Sequence, residues 1–244
     1  MTAQSQLPKF GLEIKLINAE NIVVVTTPGR SGSNFLCEIY EQNEFYLFRE
    51  IGTNKNTELN FNSDGYYIYL NSRVKNLVFH NHIASWLPES GKYNMSAILN
   101  TRKDLVKQQL SHFVWQHLDQ SLDAETKNQL QSVWAPSNEF QENIDIKKFS
   151  VSPLALKRAI RAAIDFENAA IKTFIEKNLN YTIIYYEDLF FGRQSEILAQ
   201  LGLKCSDQIW HSKSRFQASD IIDNYDELLE LAWEDSTMNK RLAI

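Results

Sequence analysis

The chain alternates between short apolar runs and longer segments whose apolar residues recur every three or four positions. Ile22 to Val25 is a continuous β-branched run, the composition of a strand covered on both faces. Shorter runs of the same kind predict strands at Phe45–Phe48, Leu77–His80, Ser96–Leu99 and Thr182–Tyr185. Helical spacing begins at Asn34 and continues through Phe35, Leu36, Cys37, Ile39 and Tyr40. It recurs over about 103–118, 121–133, 153–178, 193–201 and 219–233. Pro153 fits the first turn of its helix, where no N–H is needed, and Asp104 suits a helix N-cap. Residues 53–65 are Asn-rich and turn-prone, predicting a long surface loop. Strands alternating with helices predict an α/β three-layer sandwich, its central, mostly parallel sheet flanked by helices.

Between the first strand and the first helix stand Pro28, Gly29, Arg30, Ser31, Gly32 and Ser33. Strand, small-residue loop and helix N-terminus together form a phosphate cradle. Glycines let the backbone approach an anion, first-turn N–H groups point at it, and the helix dipole adds positive charge. Arg30 and the hydroxyls of Ser31 and Ser33 are further donors. The loop differs from G-x-x-x-x-G-K-[ST], because Ser33 and Asn34 follow Gly32 and the cation precedes it. It therefore lacks the Lys and the magnesium-binding hydroxyl of that motif.

A second group of cations, Arg102 and Lys103, follows the strand Ser96–Leu99. Ser111 lies two helical turns beyond Lys103, on the same side of the helix. Taken alone this is a capped helix with solvated basic residues. Beside the first loop it becomes a second anion box.

The pair of boxes resembles the PAPS-dependent sulfotransferases, which hold 3′-phosphoadenosine 5′-phosphosulfate (PAPS) between two such loops. Arg30-Ser31-Gly32-Ser33-Asn34-Phe35 is similar to their 5′-phosphosulfate loop, [KR]-S-G-[ST]-[TN]-[WF]. Thr101-Arg102-Lys103-Asp104 through Gln108 to Ser111 resembles their 3′-phosphate box, in which an Arg precedes a Ser by eight residues. Here Lys103 holds the eight-residue spacing and Arg102 stands one place early, so either cation could meet the 3′-phosphate. Lys would do so as a point charge, without a bidentate fork. Tyr185-Tyr186-Glu187-Asp188-Leu189, followed by Leu201-Gly202-Leu203, resembles the family's late Y-E-D-L and L-G-L segments. The resemblance implies that Tyr186 lies near the adenine, while Glu187 and Asp188 read as a helix cap. Lys213 with Asp220 to Glu227 is similar to a C-terminal segment of many bacterial members, implying a cation at Lys213 or Arg215 over the 3′-phosphate.

Sulfuryl transfer needs the bridging oxygen's charge stabilised and the acceptor's proton removed. The resemblance implies Arg30 for the first role. Preorganised donors of this kind are worth about 2.7–4 kcal/mol each. Two residues compete for the second. His82, at the end of Leu77-Val78-Phe79-His80-Asn81-His82, matches the family's K-T-H segment, with His80 in the place of the Lys. Glu50, in Phe48-Arg49-Glu50-Ile51, matches the carboxylate that carbohydrate sulfotransferases carry after the second strand. A neutral His has the pKa for base work near pH 7. His112, His117 and His211 show no pairing pattern, and no metal-ligand spacing occurs.

Length and composition are those of one soluble domain over 1–244. A net charge of −5 argues against nucleic acid as partner. Cys37 and Cys205 are not at metal or redox spacing, and Cys37 falls in an apolar helical phase, predicting a buried thiol. No apolar stretch is long enough to span a membrane and no signal-peptide pattern opens the chain, predicting a cytoplasmic protein. The expected activity is transfer of a sulfuryl group from PAPS to a hydroxyl of a carbohydrate or small molecule. Two alternatives stand beside it: an ATP-dependent small-molecule kinase, and a non-catalytic nucleotide-binding protein of the same fold. Acceptor identity and oligomeric state are not written in these motifs.

Overall fold

A computed structural model describes residues 12–13, 20–51, 60–62, 65–67, 75–85, 87, 94–122, 146–204 and 217–234. Its elements are β1 (Leu12–Glu13), β2 (Asn21–Thr26), α1 (Ser33–Gln42), β3 (Tyr46–Ile51), β4 (Asn60–Asn62), β5 (Gly65–Tyr67), β6 (Asn76–Asn81) and β7 (Asn94–Thr101). There follow α2 (Leu105–Ser121), α3 (Pro153–Glu176), β8 (Asn180–Tyr185), α4 (Tyr186–Phe190), α5 (Gln194–Gln200), α6 (Ala218–Ile221) and α7 (Tyr225–Glu234). The chain divides into two compact units, residues 1–101 with 166–210, and residues 102–165 with 211–244.

The first unit holds a five-stranded, all-parallel sheet in the order β3-β6-β2-β7-β8. The apolar run of β2 is its middle strand, and Ile22 to Thr26 are all buried. This is what an unbroken β-branched run requires: each face must meet a packed layer. On one face, Val23, Val25, Val78, Ile98 and Ile184 pack against Leu36, Ile39 and Tyr40 of α1 and against Ile197 and Leu198 of α5. On the other, Ala97 and Leu99 meet Ala170, Ile171 and Phe174 of α3. The expected α/β three-layer sandwich is therefore present. Each buried aliphatic side chain contributes about 1.5–3 kcal/mol. Cys37 lies buried in the α1 layer, as its helical phase predicted. Burial of the Tyr40 phenol in the same layer pushes its pKa well above the ordinary tyrosine range.

Of the stretch 53–65 predicted as a loop, Asn60–Asn62 form β4 and Gly65 opens β5. β4 and β5 pair antiparallel, and β1 adds to β5 in a separate three-stranded sheet. Asn60 and Asn62 sit opposite Tyr67 and Gly65, so cross-strand pairing overrode the turn-prone composition.

In the second unit α2, α6, α7 and residues 153–165 of α3 enclose a core that includes Leu110, Leu156, Ile160 and Leu228. Asp104 caps α2 as expected, accepting from the Lys107 N–H at 2.9 Å, and Pro153 is the first residue of α3. The single helix predicted over 219–233 is two. Ile222 bridges Phe149, and the Asn224 side chain accepts from Val151 N–H (3.0 Å) and donates to Val151 C=O (2.9 Å). That cross-chain clamp breaks the helical ladder between α6 and α7. Of the helix predicted over 121–133, only residues 121 and 122 are described, and Ser121 closes α2.

Candidate functional site: the carboxyl end of the parallel sheet

The chain leaves β2 towards β3 on one side of the sheet, while β7 is followed in the sheet by β8 on the other. Such a divergence between neighbouring strands opens a crevice at their carboxyl ends, the usual ligand position in open α/β sheets. Residues 27–32 fill that position after β2. Gly29, Arg30 and Gly32 have φ of 92°, 55° and 75°, all in the left-handed region. For Arg30 this conformation is strained, and the surrounding contacts must hold it. Gly32 is required twice over. Besides its φ, a Cβ there would lie 2.6 Å from Phe190 Cε2 and 3.0 Å from Tyr186 Cδ2. Gly32 is also the N-cap of α1, with no side-chain cap. The first bond along the helix runs from Leu36 N–H to Gly32 C=O at 3.4 Å. The N–H groups of Ser33, Asn34 and Phe35 consequently have no acceptor within the helix itself.

The two loop hydroxyls are used inside the protein. Gly29 N–H donates to Thr27 Oγ1 (3.0 Å), Thr27 Oγ1 lies 2.6 Å from Ser31 Oγ, and Ser31 Oγ donates to Asn100 Oδ1 (2.9 Å). Asn100 Nδ2 donates in turn to the Ile184 carbonyl on β8 (3.2 Å). Thr27, Ser31 and Asn100 are fully buried. Ser33 Oγ lies 2.9 Å from His80 Nε2, and the His80 and His82 rings are 4.6 Å apart, centroid to centroid. His82 stands half-buried just beyond β6. The buried Asn81 grips the backbone next to it, donating to Ile83 C=O (2.8 Å) and accepting from Ile83 N–H (2.9 Å). Tyr186 and Phe190 pack beside Gly32 as a tilted pair with centroids 4.6 Å apart, and Phe190 also meets Phe35 at 5.2 Å. Glu187 and Asp188 lie in the first turn of α4 rather than at its cap, which is Tyr185.

The first unit thus brings together Arg30, Ser31, Gly32, Ser33, Asn34, Phe35, His82 and Tyr186 on the loop after β2, the first turn of α1, the end of β6 and α4. Glu50 is in β3, its side chain outside the described residues. Arg102, Lys103 and Ser111 belong to the second unit, the last on α2, and Lys213 lies outside the described residues. His112 meets Gln116 at 3.0 Å, and His117 lies 2.8 Å from the Lys147 carbonyl and stacks on Phe149.

The bonding of five polar residues at this end was not visible in the sequence: Thr27, Asn81, Asn100, Thr101 and Glu167, the Thr101 hydroxyl donating to the buried Glu167 carboxylate of α3. Glu167 did leave a signal. It interrupts the apolar stripe Ile160, Ile164, Ile171, Phe174 with a charge at a core position. Among the described residues no cluster of metal-ligating side chains occurs and no helix is long and apolar enough to cross a membrane. A cavity of about 430 Å³ opens at the opposite, amino end of the sheet, lined in part by Asn21, Tyr40, Asn94 and Tyr181. No family model, curated protein or solved structure matches the chain.

Proposed function

We propose that the protein transfers a sulfuryl group from PAPS to a hydroxyl of a carbohydrate or small molecule. The observation that carries this reading is the loop after β2: three left-handed residues, a glycine wedged under an aromatic pair, and a helix start whose N–H groups lack helical acceptors. Such a loop suits a tetrahedral oxyanion bound by main-chain donors. Its sequence, with Arg30 before Gly32 and no following Lys, favours a phosphosulfate over a magnesium triphosphate. Thr101 to Ser111 supports the same nucleotide through its resemblance to the 3′-phosphate box.

In this reading Arg30 and the N–H groups of Ser33 to Phe35 stabilise charge on the leaving phosphate, and Tyr186 borders the nucleotide. His82 or Glu50 takes the acceptor's proton. The Asn81 grip on Ile83 supports His82, since a base must be held within hydrogen-bond reach of the proton it removes. Arg102 or Lys103, with Ser111 and Lys213, would meet the 3′-phosphate.

Calorimetry with 3′-phosphoadenosine 5′-phosphate tests the proposal, and absence of binding up to millimolar nucleotide would end it. Arg30→Ala is expected to lower turnover strongly with modest loss of affinity. Lys103→Ala and Ser111→Ala should chiefly weaken nucleotide binding, and the reverse pattern would show that the two boxes are exchanged.

A further inference from the structure

The hydrogen-bond chain under the loop has one permissible proton arrangement, and it can be read from its far end. The Ile184 carbonyl only accepts, so the Asn100 amide must turn its nitrogen towards β8. That leaves Asn100 Oδ1, an acceptor, facing Ser31, whose hydroxyl must donate to it. With its one proton spent, Ser31 Oγ must accept from Thr27, and Thr27 Oγ1 then accepts the Gly29 N–H. Every donor in the chain points inward. All three side chains are buried, where a reversed or missing bond is costly.

We infer that Asn100 is a positioning residue for the anion loop, setting the loop's conformation through Ser31 and Thr27 rather than by touching the ligand. Ser31 is flanked by the left-handed Arg30 and Gly32. Anchoring its side chain to β7 therefore fixes the turn on both sides, and with it the direction of the α1 N–H groups. The hydroxyl of Ser31 serves as a tether, and the loop offers an anion main-chain donors. This inference rests on the nucleotide-binding reading proposed above.

Substitutions at two positions separate positioning from mere support of the fold. Asn100→Asp keeps the acceptor for Ser31 but sets a second oxygen against the Ile184 carbonyl. Protonation of the new carboxyl restores a donor there, and burial raises its pKa. Relative to wild type at the same pH, affinity for 3′-phosphoadenosine 5′-phosphate should fall about tenfold or more near about pH 8 and recover towards about pH 5. Because the same protonation would also relieve a loss of fold, thermal melts at both pH values must show the variant folded where binding is compared. Thr27→Val breaks the chain without adding charge and should weaken binding about tenfold, while Thr27→Ser, which keeps the hydroxyl, stays within about twofold.

The closing experiment is calorimetric titration of the full chain and these variants with that nucleotide, with thermal melts alongside. Folded Asn100→Asp and Thr27→Val proteins that bind as wild type does at both pH values would overturn the assignment while leaving the proposed function standing. If Asn100→Asp does not fold, the Thr27 pair decides. A wild-type protein that fails to bind removes the proposed function and this inference together.

Discussion

Asparagines mark both ends of the parallel sheet, and their surroundings differ completely. At the amino end Asn21 donates to Asn76 Oδ1 (2.9 Å), a half-buried bond, and Asn94 donates to Asn21 Oδ1 (3.0 Å), an exposed one next to the exposed Lys75–Glu20 pair. At the carboxyl end Asn81 and Asn100 are fully buried, and both amide atoms of each are bonded to other parts of the chain. Water can replace the exposed bonds of the first set at little cost. It cannot reach the second, so each of those bonds must be supplied by the protein. Identical side chains thus decorate one end and determine the other.

The contrast can be broken in stages. Asn100→Ala strands the Ser31 donor and the Ile184 acceptor, and urea unfolding should show a loss of about 2–4 kcal/mol. A loss below about 0.5 kcal/mol would mean that water fills the gap and that the chain under the loop carries little. Asn81→Ala frees the backbone around His82 and should cost about 1–2 kcal/mol by the same measurement. Asn94→Ala, at the solvated end, should stay within about 0.5 kcal/mol.

The smallest effect belongs to Lys75. Its hydrogen bond to Glu20, reinforced by the opposite charge, raises the ammonium pKa. Whatever stability this lends is complete below the ordinary lysine range and disappears as pH rises through the raised value. Both groups are solvated, so the melting temperature of Lys75→Ala should be indistinguishable from wild type at neutral pH. A clear drop would erase the distinction between the two ends.

Four strands of the large sheet were legible in the chain as apolar runs with buried residues, and the fifth, β8, was legible from its β-branched and aromatic composition although Asn180 to Ile183 are exposed. Val23, Val25, Val78 and Ile98 announced themselves, and the turn Pro28 to Ser33 announced the loop. The braces were not legible. Ser31 and Asn100 are 69 residues apart and Thr101 and Glu167 are 66 apart, so nothing near either partner shows why it is polar. The break between α6 and α7 was hidden for the same reason. Asn224 reads as a tolerable helix residue until Val151, 73 positions away, occupies its side chain. The hairpin of β4 and β5 was missed because strand pairing overrode a turn-like composition. Of the site itself, the anion loop was readable as a motif, while the means of holding it in shape came only from packing.

The last two residues of β7 point to opposite faces of the sheet: Asn100 into the α1 layer and Thr101 into the α3 layer. Their spacing is therefore counted in twos. Inserting a single residue ahead of them would exchange their sides and undo both fastenings at one stroke, whereas inserting two would return each to its own side. The tip of this strand is keyed like a two-sided latch, and its length can change only in even steps.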